Sequence, residues 1–107
     1  MGKLRVPYYR RVGGPMVTAI VLMTIERGKV QSVASALLDV PAVSEVYSVA
    51  GAYDLVAVIR VKQHDELNEL VTQRLAAIEG IASTQTLVAF RCYSRKDVQA
   101  MWDIGLD

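Results

Sequence analysis

The chain has 107 residues, 12 Lys and Arg against 11 Asp and Glu, a net charge of +1 and 52% hydrophobic residues. That length supports one domain, since two halves would each be too small to bury a core. It also excludes a membrane-spanning helix, because the longest apolar stretch, Met16 to Ile25, is about half the ~20 residues a bilayer requires. A single cysteine, Cys92, excludes an internal disulfide and a cysteine-based metal cluster; the expectation is a core residue in a reducing, cytoplasmic protein.

The charge is uneven. Residues 1–15 hold Lys3, Arg5, Arg10 and Arg11 and no acid, whereas the remainder holds eight basic and eleven acidic residues. A basic N-terminal extension, 1–15, therefore precedes a mildly acidic domain that lacks the cationic surplus needed to grip a phosphate backbone. Tyr8 and Tyr9 offer stacking surfaces, but a flexible leader explains them more simply.

In chain order, MVTAIVLMTI (16–25) is apolar at both alternating sets of positions, which predicts a strand buried on two faces. After Gly28, residues Val30, Val33, Ala34, Leu37 and Leu38 follow the spacing of a helix with one apolar stripe, ending by Pro41. Val43 to Ala50 reads as a second strand, Gly51-Ala52 as a tight connection, and Asp54 to Val61 as a third. Residues 64–78 predict a second helix with Leu67, Leu70, Val71, Leu75 and Ile78 inward, Asp65 and Glu66 in its first turn and Gly80 as its stop. Residues 81–93 predict the fourth strand. From 94 to 107, Ser94 with Asp97 and the apolar positions Val98, Met101 and Trp102 predict a short C-terminal helix that meets another subunit or covers a sheet edge.

Val30, Val33, Ala34 and Leu38 recur 37 positions later as Leu67, Leu70, Val71 and Leu75. A duplicated βαβ unit of order β-α-β-β-α-β predicts an α+β, ferredoxin-like sandwich over residues 16–93 with both helices on one sheet face. The other face is apolar and needs a cover, for which a second copy burying ~800 Å² per partner is the natural source.

Few residues offer chemistry. His64, the one histidine, stands at the mouth of the second helix, where a capping or solvated role is the simple reading. Glu66 and Glu69 lie on that helix's polar side. No metal cluster, catalytic triad or phosphate-cradling glycine loop can be assembled, so neither cofactor nor metal is expected. What remains is polarity at strand ends: Gly51, Ala52, Tyr53 and Asp54 at the hairpin, and Ser83, Thr84, Gln85 and Thr86 entering the last strand. Free N–H groups, a carboxylate, a phenol and hydroxyls are what a zwitterionic amino acid requires. The plainer reading is that Tyr53 and Asp54 set the turn and the threonines decorate a strand.

At these residues the sequence resembles the ligand-binding half of the Lrp/AsnC transcription regulators. The resemblance runs from about Val17 to Phe90 and rests on Val46-Tyr47-Ser48-Val49-Ala50-Gly51-Ala52-Tyr53-Asp54-Leu55, on Asp65 with Leu67 and Leu70, on Ile78-Glu79-Gly80-Ile81 and on Thr84-Gln85-Thr86. It implies dimers formed through the sheets, assembly of those dimers into rings, commonly of four dimers, and an amino-acid effector bound where dimers meet, lined by Gly51, Ala52, Tyr53, Asp54, Thr84, Gln85 and Thr86. Only fifteen residues precede Met16, where such regulators carry a helix-turn-helix domain. The chain is thus most similar to stand-alone effector-binding (RAM) members that do not read DNA themselves, for which two roles stay open, co-assembly with full-length regulators or action as small-molecule sensors. Two other readings stay open: an α/β-barrel monooxygenase or isomerase using His64, Tyr53 and Asp54, and a purely structural oligomerisation module.

Overall fold

The computed structural model describes residues 16–95. A compact unit, Val17–Ala89, contains the whole sheet. Its elements are β1 (Val17–Ile25), α1 (Val30–Leu38), β2 (Val43–Ser48), β3 (Leu55–Val61), α2 (His64–Glu69, continuing as a π-helical turn through Leu70–Leu75) and β4 (Ile81–Ala89). The strands form one antiparallel sheet of order β2-β3-β1-β4, the expected ferredoxin-like α+β arrangement.

β1 is central, pairing Val17 to Met23 with β3 and Thr18 to Ile25 with β4, which explains why it is apolar at most positions of both faces. One set of its residues, Ala19, Val21 and Met23, is fully buried with Leu55, Ala57 and Ile59 of β3 against Val33 and Leu37 of α1 and Leu67, Leu70 and Leu75 of α2. The other set, Ile20 and Leu22, is half-buried and shares the open face with Val56, Val58 and Leu87. At one edge Tyr47 donates to Glu45, and that bond, followed by the carboxylate's charge, raises the Tyr47 phenol above its ordinary value; Arg60 pulls more weakly the other way.

Two bulges set the phase of the edge strands. Val43 pairs with Ile59 but Glu45 with Val58, so one extra residue lets Val43 and Val46, three apart, both turn inward. A similar shift opposite Thr24 and Ile25 lets Ile81 and Thr84 share the helix side of β4. Gly80 closes α2 against α1. It is buried at φ +105, and a Cβ there would lie 2.8 Å from Val33 Cγ2 and 3.0 Å from Lys29 Cβ.

The structure revises several sequence expectations. Leu38, expected on the inward stripe, is 59% exposed, and Val40 is buried just beyond the helix instead. Its repeat partner Leu75 is 1% exposed. The π-helical turn accounts for the difference: it inserts one residue relative to α1, so Leu75 takes the place that an unbroken repeat would give Arg74, the counterpart of the buried Leu37. β2 ends at Ser48 rather than Ala50, β3 begins at Leu55 rather than Asp54, and α2 ends at Leu75 rather than Ile78. β4 stops at Ala89, opposite Thr18, where β1 runs out of partners; Cys92 is consequently exposed, not a core residue. In the segment 90–95, Phe90 and Tyr93 are exposed and the Arg91 guanidinium lies 5.8 Å from the Tyr93 ring centroid. The basic residues 1–15 and, beyond residue 95, the segment expected to form a C-terminal helix, with Trp102, lie outside the described residues.

The inserted residue predicts unequal costs at the two repeat-related leucines. Leu75→Ala should destabilise by about 2–5 kcal/mol, as a cavity in a packed core does, and Leu38→Ala by less than about 0.5 kcal/mol. Urea unfolding measures both; equal costs would contradict the shifted register.

Candidate functional site

The connection between β2 and β3, residues 49–54, is longer than a two-residue turn and is tied to the end of β1. Val49 N–H donates to the Asp54 carbonyl at 3.0 Å, and Asp54 N–H donates to the Met23 carbonyl at 2.8 Å. The Asp54 carboxylate then extends β1 by one bond, its Oδ2 accepting the Ile25 N–H at 2.7 Å. Asp54 is half-buried, so this bond is partly shielded from water. A short carboxylate side chain at the start of β3 thus does what a continued strand would do.

Between those anchors the backbone turns through Gly51 at φ +132, a conformation that suits glycine and faces open space. Among the described residues, the N–H groups of Ala50, Gly51, Ala52 and Tyr53 donate to no backbone carbonyl. The loop therefore presents consecutive donors next to one carboxylate, on an anchored base.

Tyr53 reaches sideways. Its hydroxyl donates to Gln85 Oε1 at 2.6 Å, across β1, since β1 lies between β3 and β4. One rung further along, the Thr24 and Ser83 hydroxyls are 2.5 Å apart. Gln85 pairs with Leu22 and Ser83 with Thr24, which puts both on the open face. Thr84 and Thr86 pair with Met23 and Val21, two core residues, and so stand on the helix side. The seven residues singled out in the sequence thus divide. Gly51, Ala52, Tyr53 and Asp54 come together in the loop, Gln85 joins them through Tyr53, and Thr84 and Thr86 occupy the opposite face of β4.

The candidate enzymatic trio does not assemble. β3 separates the hairpin from His64, which begins α2 after the far end of that strand, roughly 20 Å away along seven residues. His64 is exposed and is not the cap. The N-cap is Gln63, and the Glu66 carboxylate reaches back to it, Oε1 accepting from the N–H groups of Lys62 at 2.8 Å and Gln63 at 3.3 Å, a capping box legible in the Gln-x-x-Glu spacing of residues 63–66. The space between helices and sheet is filled by aliphatic side chains. Among the described residues no group of three His, Cys, Asp or Glu side chains is placed to hold a metal, and no helix is long and apolar enough to cross a membrane.

Comparison with known proteins bears on the loop and the sheet together. The Lrp/AsnC ligand binding domain family matches residues 18–98. The transcriptional regulator FL11 of Pyrococcus furiosus, of helix-turn-helix type, is 35% identical over 80 residues, which are 75% of this chain and 52% of that protein. The chain spans about half the length of the curated relatives it matches. Among solved structures, TTHA0845 from Thermus thermophilus is 47% identical with a TM-score of 0.69, covering 74% of this chain and 99% of that one. The protein PHS023 from Pyrococcus horikoshii is 32% identical with a TM-score of 0.67, covering 72% and 93% respectively.

The Asp54 anchor is testable by itself. Asp54→Ala removes the acceptor of the Ile25 N–H and should cost about 1–3 kcal/mol, with faster hydrogen exchange at the Ile25 amide. Asp54→Asn retains an oxygen at that position and should keep most of both. Slow exchange at Ile25 in the alanine variant would show that the carboxylate does not hold β1.

Proposed function

Because the chain belongs to the family of Lrp/AsnC ligand binding domains, we propose that it is the sensing part of a transcriptional regulatory system, binding an amino acid at the hairpin loop and responding by self-association. The N–H groups of residues 50–53 hold the effector carboxylate, and the Asp54 oxygen not engaged by Ile25 accepts from its ammonium group. Thr84 and Thr86 border the site from the helix side of β4. No bond of the effector is made or broken.

The observation that carries this reading is the pairing of a run of undonated N–H groups with a single carboxylate on a loop fixed to β1. A fixed base matters because the Asp54 anchor leaves only the residues outside it to be ordered on binding, which lowers the cost of that ordering.

The open face supports the second half of the proposal. Ile20, Leu22, Val56, Val58 and Leu87 form an apolar patch on the side of the sheet away from the helices, with Tyr47 and Glu45 on the strand at one edge. A second copy covers it, and dimers assemble further into rings, up to an octamer. In that assembly the chain partners full-length Lrp/AsnC regulators, which supply the DNA contact; the FL11 relative is about twice the length of the matched region and is named as a helix-turn-helix regulator. The chain itself works in the cytoplasm without gripping nucleic acid. An effector moves this equilibrium only through different affinities for the two assembly states.

A thermal-shift panel of the common L-amino acids at millimolar concentration tests the reading. A ligand at ~100 times its dissociation constant adds ~2.7 kcal/mol, a shift of roughly ten degrees in a domain of this size. The expected result is a selective shift that Asp54→Asn abolishes while remaining folded. An equal shift in that variant would remove Asp54 from the site; the absence of any shift in the unmodified protein would leave a structural oligomerisation module as the function.

A further inference from the structure

We propose that the hydrogen bond from Tyr53 to Gln85 is the link through which an occupied hairpin loop alters self-association on the open face of the sheet, an inference that rests on the effector reading of that loop. Tyr53 belongs to the loop, one residue before the Asp54 anchor, and contributes one of the undonated N–H groups. Gln85 belongs to the open face, paired with Leu22 and one rung from Ile20 and Leu87. The bond between them joins the loop to β4 directly, side chain to side chain, and it spans two strand spacings, about 9–10 Å.

The coupling follows from what burial does to an amide. Gln85 is exposed in the isolated chain. When a second copy covers this face, its carbonyl oxygen leaves water and must keep a donor or destabilise the contact. The Tyr53 hydroxyl is that donor, at 2.6 Å. A loop held with Tyr53 over β1 therefore permits association with the amide satisfied, whereas a loop that carries Tyr53 away leaves an orphan acceptor in an apolar interface. An amino acid seated on the N–H groups of residues 50–53 fixes the loop in the bridged arrangement and so favours association. The Asp54 anchor confines the motion to the residues outside it, so the response reaches the face through the phenol rather than through the backbone of β3.

Three variants separate the link from ordinary stability. Tyr53→Phe removes the donor, Gln85→Leu removes the acceptor but suits the apolar face, and Gln85→Glu keeps an oxygen for the phenol. Sedimentation velocity is run on each, without ligand and at saturation with whichever amino acid shifts the melting temperature of the unmodified protein. Saturation makes the comparison independent of any change in affinity. The association constant of the unmodified protein should rise by at least about fivefold with ligand, the lower end of ordinary allosteric coupling. Tyr53→Phe should associate more weakly and respond less than about twofold; Gln85→Leu should associate at least as well as the unmodified protein and also fail to respond; Gln85→Glu should respond. A full response in both Tyr53→Phe and Gln85→Leu would overturn the link while leaving the effector site standing. If no amino acid shifts the unmodified protein, the effector reading falls and the link with it.

Discussion

The hairpin end of this sheet depends on how β3 is attached to β1 before the two strands begin to pair. The first paired residues are Met23 and Leu55, and the chain arrives at them from an irregular loop. Asp54 resolves this by acting as backbone and side chain at once: its N–H reaches Met23, its carbonyl takes Val49, and its carboxylate takes the Ile25 N–H that would otherwise end the strand without that partner. A charged acceptor in a half-buried position is stronger than a neutral one. The loop outside it is then free to be irregular, its N–H groups donating to no backbone carbonyl, because the register of the sheet no longer depends on that loop.

That arrangement divides labour between two faces. The helix side of the sheet is committed to the core, with Val21, Met23, Leu55 and Ile59 at or near complete burial. The open side keeps apolar residues half-buried or, at Leu87, exposed in a single chain, and its polar groups are paired, Gln85 with Tyr53, Thr24 with Ser83 and Tyr47 with Glu45. A surface of this kind is stable enough alone and gains from being covered. It lies next to the loop, so a small change at the loop is adjacent to the place where association is decided.

Much of the fold is legible in the sequence because it rests on composition that physics reads directly. The double-sided apolarity of residues 16–25 locates the central strand, the period of Val30, Val33 and Leu37 marks the first helix, and the repeat at a spacing of 37 sets the order of elements. Some of the departures come from single-residue insertions that shift phase. The bulges at Ser44 and Ala82 and the π-helical turn at 70–75 each add one residue to a regular element, and no periodicity count registers them until the partner strand or helix is known. Separately, the i, i+8 spacing turns Leu38 inward although it is the last residue of α1, and proximity in sequence groups the threonines of β4 with Gln85 although alternation sends them to the other face. Cys92 falls outside the core because the length of β4 is set by its neighbour β1, not by its own β-prone sequence. Asp54 stands out in the sequence as a residue of interest, but its bond to Ile25, 29 residues earlier, does not.

The central claim is that the loop anchored by Asp54 receives the effector and that its occupation is felt on the open face. A residue-resolved NMR titration of the isotopically labelled protein with the responding amino acid tests it most directly. The account predicts that the largest amide shifts cluster at residues 50–54, with a second group at Gln85 and its open-face neighbours Leu22 and Leu87. Shifts concentrated instead on the outer surfaces of α1 and α2, with residues 50–54 unmoved, would contradict it.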